Sequence, residues 1–367
     1  MDDENRFERS APRPLSIYLG AALGMVGPDA SEDHIAAHKK SVTRMLQGIR
    51  KYQEHSFHRP GSGGEIIWRE GGTTLRFFAA EQAKGALLLI PSMVNGSEIL
   101  DLLPDKSFSR WMALQGFDIY LLDWGKPAAD EGLQQLDSGV VPRLLAAAEE
   151  VGRQTGDKKV DALGYCMGGT LLLAAAAELP GLFNRLVLLS APWDFHAGNP
   201  RMMAQVLAGS ASALQLLEQK PALPVDWIQN VFAQVNPAQA IHKFSAFLEM
   251  ASGSPEEQVF IAVEDWLNGG QDLAGGVARS CILDWYGANK PAGGEWADLA
   301  KLADHPILIV AAARDVLVPP ESATAVAQQI PGARLLEPAC GHISLMAGKQ
   351  AQTMVWEPVR DWLLDRP

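Results

Sequence analysis

The stretch Val160-Asp161-Ala162-Leu163-Gly164-Tyr165-Cys166-Met167-Gly168-Gly169-Thr170 decides the fold. It opens as an apolar run, passes through Gly-x-Cys-x-Gly and continues into an Ala- and Leu-rich segment that reads as a helix to about Leu179. That order is the pattern of a strained strand-to-helix turn, which lifts its central side chain above the end of a sheet. Side chains at positions 164 and 168 would clash with the neighbouring strand and helix, which accounts for the two glycines. The turn places Cys166 at a helix N-terminus, whose partial positive charge favours a thiolate. It also aims the backbone N–H of Met167 at any oxyanion formed beside the sulfur. A cysteine between two glycines can equally be a buried structural residue. The strand before it and the helix after it favour a nucleophile.

Working outward, three further apolar runs accompany 160–165 as candidate buried strands: 86–91, 117–123 and 185–190. Helical stretches such as 139–151 and 167–179 separate most of them. Strands alternating with helices predict an α/β fold with a mostly parallel sheet covered on both faces. Ahead of these runs, EIIWRE and TLRFFA flank Gly71-Gly72 and read as a hairpin. Residues 31–55 carry Ile35, Val42, Met45, Leu46, Ile49 and Tyr52 at helical steps, and predict an amphipathic helix. The apolar run from Leu15 to Val26 is shorter than the roughly 20 residues a membrane helix needs, and it is expected to dock on the domain. From 195 to 304 the alternation stops and a helical pattern broken by Pro221, Pro224, Pro237 and Pro255 takes over, with no strand expected. Alternation resumes with 306–313, a helix from about Glu321, 334–339 and a final helix over 355–364. The predicted organisation is an N-terminal segment and helix (1–60), a core in two parts (61–194 and 305–367) and a helical cap (195–304).

A cysteine on such a turn needs a base and a group to orient the base. In this arrangement the chain order is nucleophile, acid, histidine. Asp315 follows the strand at 306–313, and His342 follows the strand at 334–339. His196 and His242 lie in or at the edge of the insertion, and His305 precedes a strand at its opposite end. The bland alternatives are a turn-forming role for Asp315 and a helix-capping loop histidine for His342.

Composition sets the outer limits. The chain has 367 residues, 47% of them hydrophobic and 20% charged, so it is able to bury a large core. With 31 basic and 43 acidic residues the net charge is -12, which argues against a nucleic-acid binder. Three cysteines without a CxxC pair exclude a disulfide framework and point to a reducing, cytoplasmic compartment. No metal-ligand cluster and no cofactor-binding glycine pattern is present. Lys106, Arg110, Lys126 and Arg143 read as scattered surface charge, with a local cation site for a phosphate-bearing substrate as the alternative. Trp227, Trp266 and Trp285 read as core, with an acyl channel as the alternative.

GYCMGG at 164–169 resembles the box of polyhydroxyalkanoate synthases, in which Cys replaces the Ser of lipases. Pro91-Ser92-Met93-Val94-Asn95 through Leu102, and Asp118-Ile119-Tyr120-Leu121-Leu122-Asp123-Trp124-Gly125-Lys126-Pro127, are similar to further blocks of that family. So are Ala191-Pro192-Trp193-Asp194-Phe195, Asp315 through Ser322, and Gly341-His342-Ile343, all in the same order. The resemblance runs from about Glu65 to the C-terminus and thins through the insertion. It implies an α/β-hydrolase fold with a helical cap. It also implies an acyltransferase that moves 3-hydroxyacyl groups from coenzyme A thioesters onto Cys166 and into a growing polyester. Cys166 becomes the nucleophile, His342 the base and Asp315 its partner. Met167, with Met93 or Val94, supplies the oxyanion hole. Coenzyme A enters as part of the substrate, and no cofactor is implied. A homodimer or a partner subunit, and attachment to a polyester granule in the cytoplasm, come with the resemblance. Two departures stand out: Val316 follows Asp315 where the family usually has His, and the long N-terminal domain of single-subunit synthases is absent. A Cys-nucleophile hydrolase on the same scaffold (a thioesterase or an intracellular polyester depolymerase) is the alternative. A non-catalytic granule subunit is a third reading.

Overall fold

The structure is a computed structural model, and it describes residues 9–24, 31–156, 159–198, 200–236 and 238–365. The strands are β1 (Glu65–Glu70), β2 (Thr73–Phe78), β3 (Gly85–Ile90), β4 (Phe117–Asp123), β5 (Val160–Tyr165), β6 (Phe183–Leu189), β7 (Ala222–Leu223), β8 (Leu273–Ala274), β9 (Ile307–Val310) and β10 (Arg334–Leu336). Eight of them form one sheet in the order β1-β2-β4-β3-β5-β6-β9-β10. The hairpin β1–β2 and the β2–β4 pair are antiparallel, and every pair from β4 to β10 is parallel. The central strands are buried along their length (Leu87 to Ile90 and Val160 to Tyr165), as a sheet covered on both faces requires. Each Leu or Ile removed from water there contributes about 1.5–3 kcal/mol before entropy is counted.

The strand order changes direction at β3, which lies between β4 and β5. Crevices for ligands open at the carboxyl ends of strands beside such a switch point. The two segments that leave β3 and β5 there, 91–95 and 166–169, carry the residues singled out by the sequence. Register brings them together, because Ile90 pairs with Gly164.

The chain divides into two compact units. One comprises 62–225 and 270–367 and holds the sheet. The other comprises residues up to 61 and 226–269. The insertion 195–304 is thus shared between them. It is largely helical, as expected, but β7 and β8 pair antiparallel within it. Two residues per strand are too short to register as a period in sequence, and this corrects the expectation of no strand.

In the second unit, the helix Glu32–Gln53 is capped by Ser31, whose Oγ accepts from His34 N–H. It packs Met45, Ile49 and Tyr52 against Ala240, Ile241, Phe244, Phe247 and Ile261. The short apolar helix Leu15–Gly24 lies on the same cluster through Ala22, Leu15, Tyr18 and Leu19. Val26 and Pro237 fall outside the described residues. Among the described residues no helix is long and apolar enough to cross a membrane.

Candidate active site

Cys166 is a non-glycine residue with φ 55° and ψ -130°. Such strain persists only where surrounding structure enforces it. Here its N–H donates to Leu189 O at the end of β6 (2.9 Å), and its C=O accepts from Gly169 N–H (2.9 Å), which opens the helix Met167–Glu178. The glycines permit the sharp turn by close backbone approach. A Cβ on Gly168 would stand 2.6 Å from Pro91 O and still nearer Ile90 O. One on Gly164 would stand 2.6 Å from Gly168 O. The segment after β3 therefore lies directly against the elbow.

Asp315 and His342 arrive from the ends of β9 and β10. The Asp315 side chain is fully buried and has both oxygens engaged. Oδ1 accepts from the N–H groups of Leu317 and Val318, both at 2.9 Å, and Oδ2 accepts from His342 Nδ1 at 2.6 Å. Cys166 is the other group that acts on the imidazole. Burial works against the charged imidazole. The Asp315 carboxylate and the Cys166 sulfur outweigh that cost and hold the imidazolium form well above its ordinary range. The three residues named from chain order are thus brought together, with Asp315 bonded to His342 and Cys166 acting on the same imidazole. The arrangement is suited to removing a proton from a thiol or hydroxyl and returning it to a leaving group.

Tyr165, the residue before the nucleophile, braces this arrangement. Its buried hydroxyl donates to His342 O at 3.3 Å, and its ring packs on the imidazole at 5.1 Å between centroids. Burial, with the neighbouring Cys166, Asp315 and Cys340, raises its pKa so far that it stays a donor. Sequence reasoning passed over it, although its place inside the motif was a signal.

Met167 is the first residue of the helix after the elbow, the position where the motif expects an oxyanion donor. Of the two residues offered as a second oxyanion donor, Val94 donates its N–H to Ser92 Oγ at 3.2 Å. Met93 is buried beside it.

An aromatic wall stands in the same unit, built on the loop after β6, at the end of the sheet where Leu189 O accepts the Cys166 N–H. Trp193 and Phe195 follow β6, and they stack with Trp285, Tyr286 and Trp296 at centroid separations of 5.0–6.1 Å. The three tryptophans singled out in the sequence fall in different units. Trp285 belongs to this wall, whereas Trp227 and Trp266 lie in the other unit.

Three of the four basic residues singled out in the sequence are engaged with protein partners. Arg143 is buried, which corrects its reading as surface charge. It binds Glu70 Oε1 at 2.7 Å and Asp130 Oδ2 at 3.1 Å. Arg110 pairs with Asp101 at 2.8 Å, and Lys106 donates to Gly348 O at 2.5 Å. Of the histidines weighed against His342 in the sequence, His305 bonds Pro180 O, His196 bonds Tyr286 O, and His242 belongs to the other unit.

This strand order, with a nucleophile elbow after β5 and an acid and a histidine after later strands, defines an α/β hydrolase. A family model for the alpha/beta hydrolase fold matches residues 85–349, and the chain belongs to that family. Among characterised proteins it is similar to the poly(3-hydroxyalkanoate) polymerase subunit PhaC of Haloferax mediterranei, with 28% identity over 82% of this chain and 64% of the relative. The subunit of the same name from Haloarcula marismortui is 27% identical over 76% of this chain and 61% of its own length. That of Allochromatium vinosum is 26% identical over 78% of this chain and 83% of its own length. The chain therefore matches less than two thirds of the first two relatives. Among solved structures, DcsB in complex with its substrate analogue matches with a TM-score of 0.53 at 18% identity. That match covers 79% of this chain and 93% of the other, and it shows the fold.

Proposed function

We propose that the protein is a cysteine-dependent acyltransferase of the polyhydroxyalkanoate synthase type, taking 3-hydroxyacyl groups from coenzyme A thioesters. The observation that carries this reading is His342 bonded to Asp315, with Cys166 acting on the same imidazole, in a chain similar to several polyhydroxyalkanoate polymerase subunits. In this reading the Cys166 sulfur attacks the thioester carbonyl. The oxyanion rests on the N–H groups of Met167 and Met93, and the bond to the coenzyme A sulfur breaks. His342 gives that sulfur its proton, and Cys166 holds the acyl group as a new thioester. His342 then takes the proton of an incoming 3-hydroxyl, whose oxygen attacks the Cys166 acyl carbonyl, so that an ester forms and the Cys166 sulfur is released.

Thioester-for-thioester exchange is nearly balanced, which keeps the acyl group transferable and suits a polymerase. In this proposal the helical stretch 195–304 serves as cap, and the enzyme works in the cytoplasm at a polyester granule. Its relatives are named as subunits, which favours a partner, either a second copy or a different chain. The test is incubation of purified protein with 3-hydroxybutyryl-CoA, following coenzyme A release and insoluble polyester together. Polymer in step with coenzyme A supports the synthase. Coenzyme A release with only free 3-hydroxy acid, even after a partner subunit is added, identifies a hydrolase instead.

A further inference from the structure

Tyr286 sits in a stretch of helix, Cys281–Gly287, that is wound more loosely than an α-helix. Ala288 N–H donates to Leu283 O, five residues back, at 2.8 Å. Winding of this kind recurs at functional sites.

The position is fixed from several sides. The Tyr286 ring meets Phe195 edge-on at 5.0 Å, and its carbonyl is bonded to His196 Nε2 at 2.8 Å. Asn289, at φ 52°, ties the end of the turn to the loop after β6. Its Oδ1 accepts from Phe195 N–H, and its Nδ2 donates to Asp194 Oδ1, both at 2.9 Å. Tyr165 and Tyr52 have their hydroxyls bonded to protein acceptors. The Tyr286 hydroxyl has no protein partner among the described residues. A rigidly held, half-buried phenol with a free donor, in a wall at the nucleophile's end of the sheet, is a group waiting for a ligand acceptor.

We propose that Tyr286 is a specificity-determining residue whose hydroxyl hydrogen-bonds the 3-hydroxyl of the acyl group carried by Cys166. The proposal rests on the acyltransferase reading and deepens it. A hydroxyl on the third carbon is two bonds beyond the carbonyl carbon, so a group that senses it must itself stand close to the sulfur. Tyr286 meets that condition: it packs on Phe195, in the loop that leaves β6 where Leu189 O accepts the Cys166 N–H and Pro192 O accepts the Thr170 hydroxyl of the elbow helix, and Cys166 is among the groups that act on its hydroxyl. Burial first, then Cys281 and Cys166, push its ionisation upward, so it is a donor at neutral pH. A site with a partner for a substrate hydroxyl discriminates against the analogue that lacks it, which a purely apolar wall does weakly.

The experiment compares single-turnover acylation of Cys166 by 3-hydroxybutyryl-CoA and butyryl-CoA, read by intact mass, in the native protein and in Tyr286→Phe. Phenylalanine keeps the ring contact with Phe195, and a melting curve checks that the variant is folded. The native protein is expected to prefer the hydroxylated substrate, and the ratio of the two rates to fall about tenfold in Tyr286→Phe, the size of one lost hydrogen bond. A native protein without preference overturns the assignment, as does a ratio that does not move in the variant. If the native protein is acylated by neither thioester, the acyltransferase reading itself fails, a result distinct from acylation with an unmoved ratio.

Discussion

Replacing Asp315 by Asn tests the catalytic arrangement at its buried end. Asparagine retains an oxygen for the N–H groups of Leu317 and Val318, so the turn after β9 keeps its two 2.9 Å bonds. It also presents an NH2 group to His342 Nδ1 in place of the oxygen that stands at 2.6 Å. The imidazole must then accept at Nδ1 and carry its proton on the nitrogen facing Cys166, which is the wrong tautomer for a base. In a Ser-His-Asp triad the same change lowers turnover by about 10⁴-fold, and a loss of roughly 10³ to 10⁴-fold is expected here.

The charge effect is separable. Without the carboxylate's charge and its charged hydrogen bond, the His342 pKa moves down toward its ordinary range. Because the folded value is raised, the stabilisation of the imidazolium is complete below about pH 6.5 and is lost as pH climbs through the folded value. The Asn variant is therefore expected to lose stability relative to the native protein mainly below and through that window, with the difference closing at higher pH. The assays are imidazole NMR titration for the pKa, melting against pH for the linkage, and acylation rate for the chemistry. A His342 titration that does not move, together with an unchanged acylation rate, refutes the reasoning.

Other consequences are as direct. Iodoacetamide at neutral pH is expected to label Cys166 far faster than Cys281, whose thiol is pushed up to about 12 by burial and by Asp284; peptide mass mapping over time reads the two rates, and equal rates contradict an activated Cys166. Gly168→Ala drives a Cβ into the carbonyls of Ile90 and Pro91, so chemical denaturation should show a loss of about 1–3 kcal/mol together with a collapse of acylation. Arg143→Met leaves the Asp130 carboxylate without its buried partner; removal of one member of such a pair costs about 3–5 kcal/mol, and a melting temperature within a degree of native contradicts the assigned network.

The elbow was readable in the sequence because its requirements are local: an apolar strand, two glycines excluded from carrying side chains by close backbone, and a helix. Asp315 and His342 followed from chain order alone, since the strands that carry them are strongly apolar and their loops are short. What escaped notice depends on contacts distant in sequence. Nothing periodic marks residues 226–269 as partners of the helix Glu32–Gln53. They fit because Phe244, Phe247 and Ile261 fill the surface around Met45 and Ile49. Arg143 reads as one more helix-surface cation until Glu70 and Asp130 close over it. Tyr286 lies in an unremarkable helical stretch, and only the looser winding over Cys281–Gly287 and the loop after β6 give it a role.

The account stands most directly on whether Cys166 carries the acyl group. Purified protein quenched in acid within seconds of mixing with 3-hydroxybutyryl-CoA, and analysed by intact mass and peptide mapping, is expected to hold one or more 3-hydroxybutyryl units on the peptide containing Cys166. The adduct and the release of coenzyme A should both vanish in Cys166→Ala. Turnover that persists in Cys166→Ala, or an acyl group mapped to another residue, contradicts the central claim.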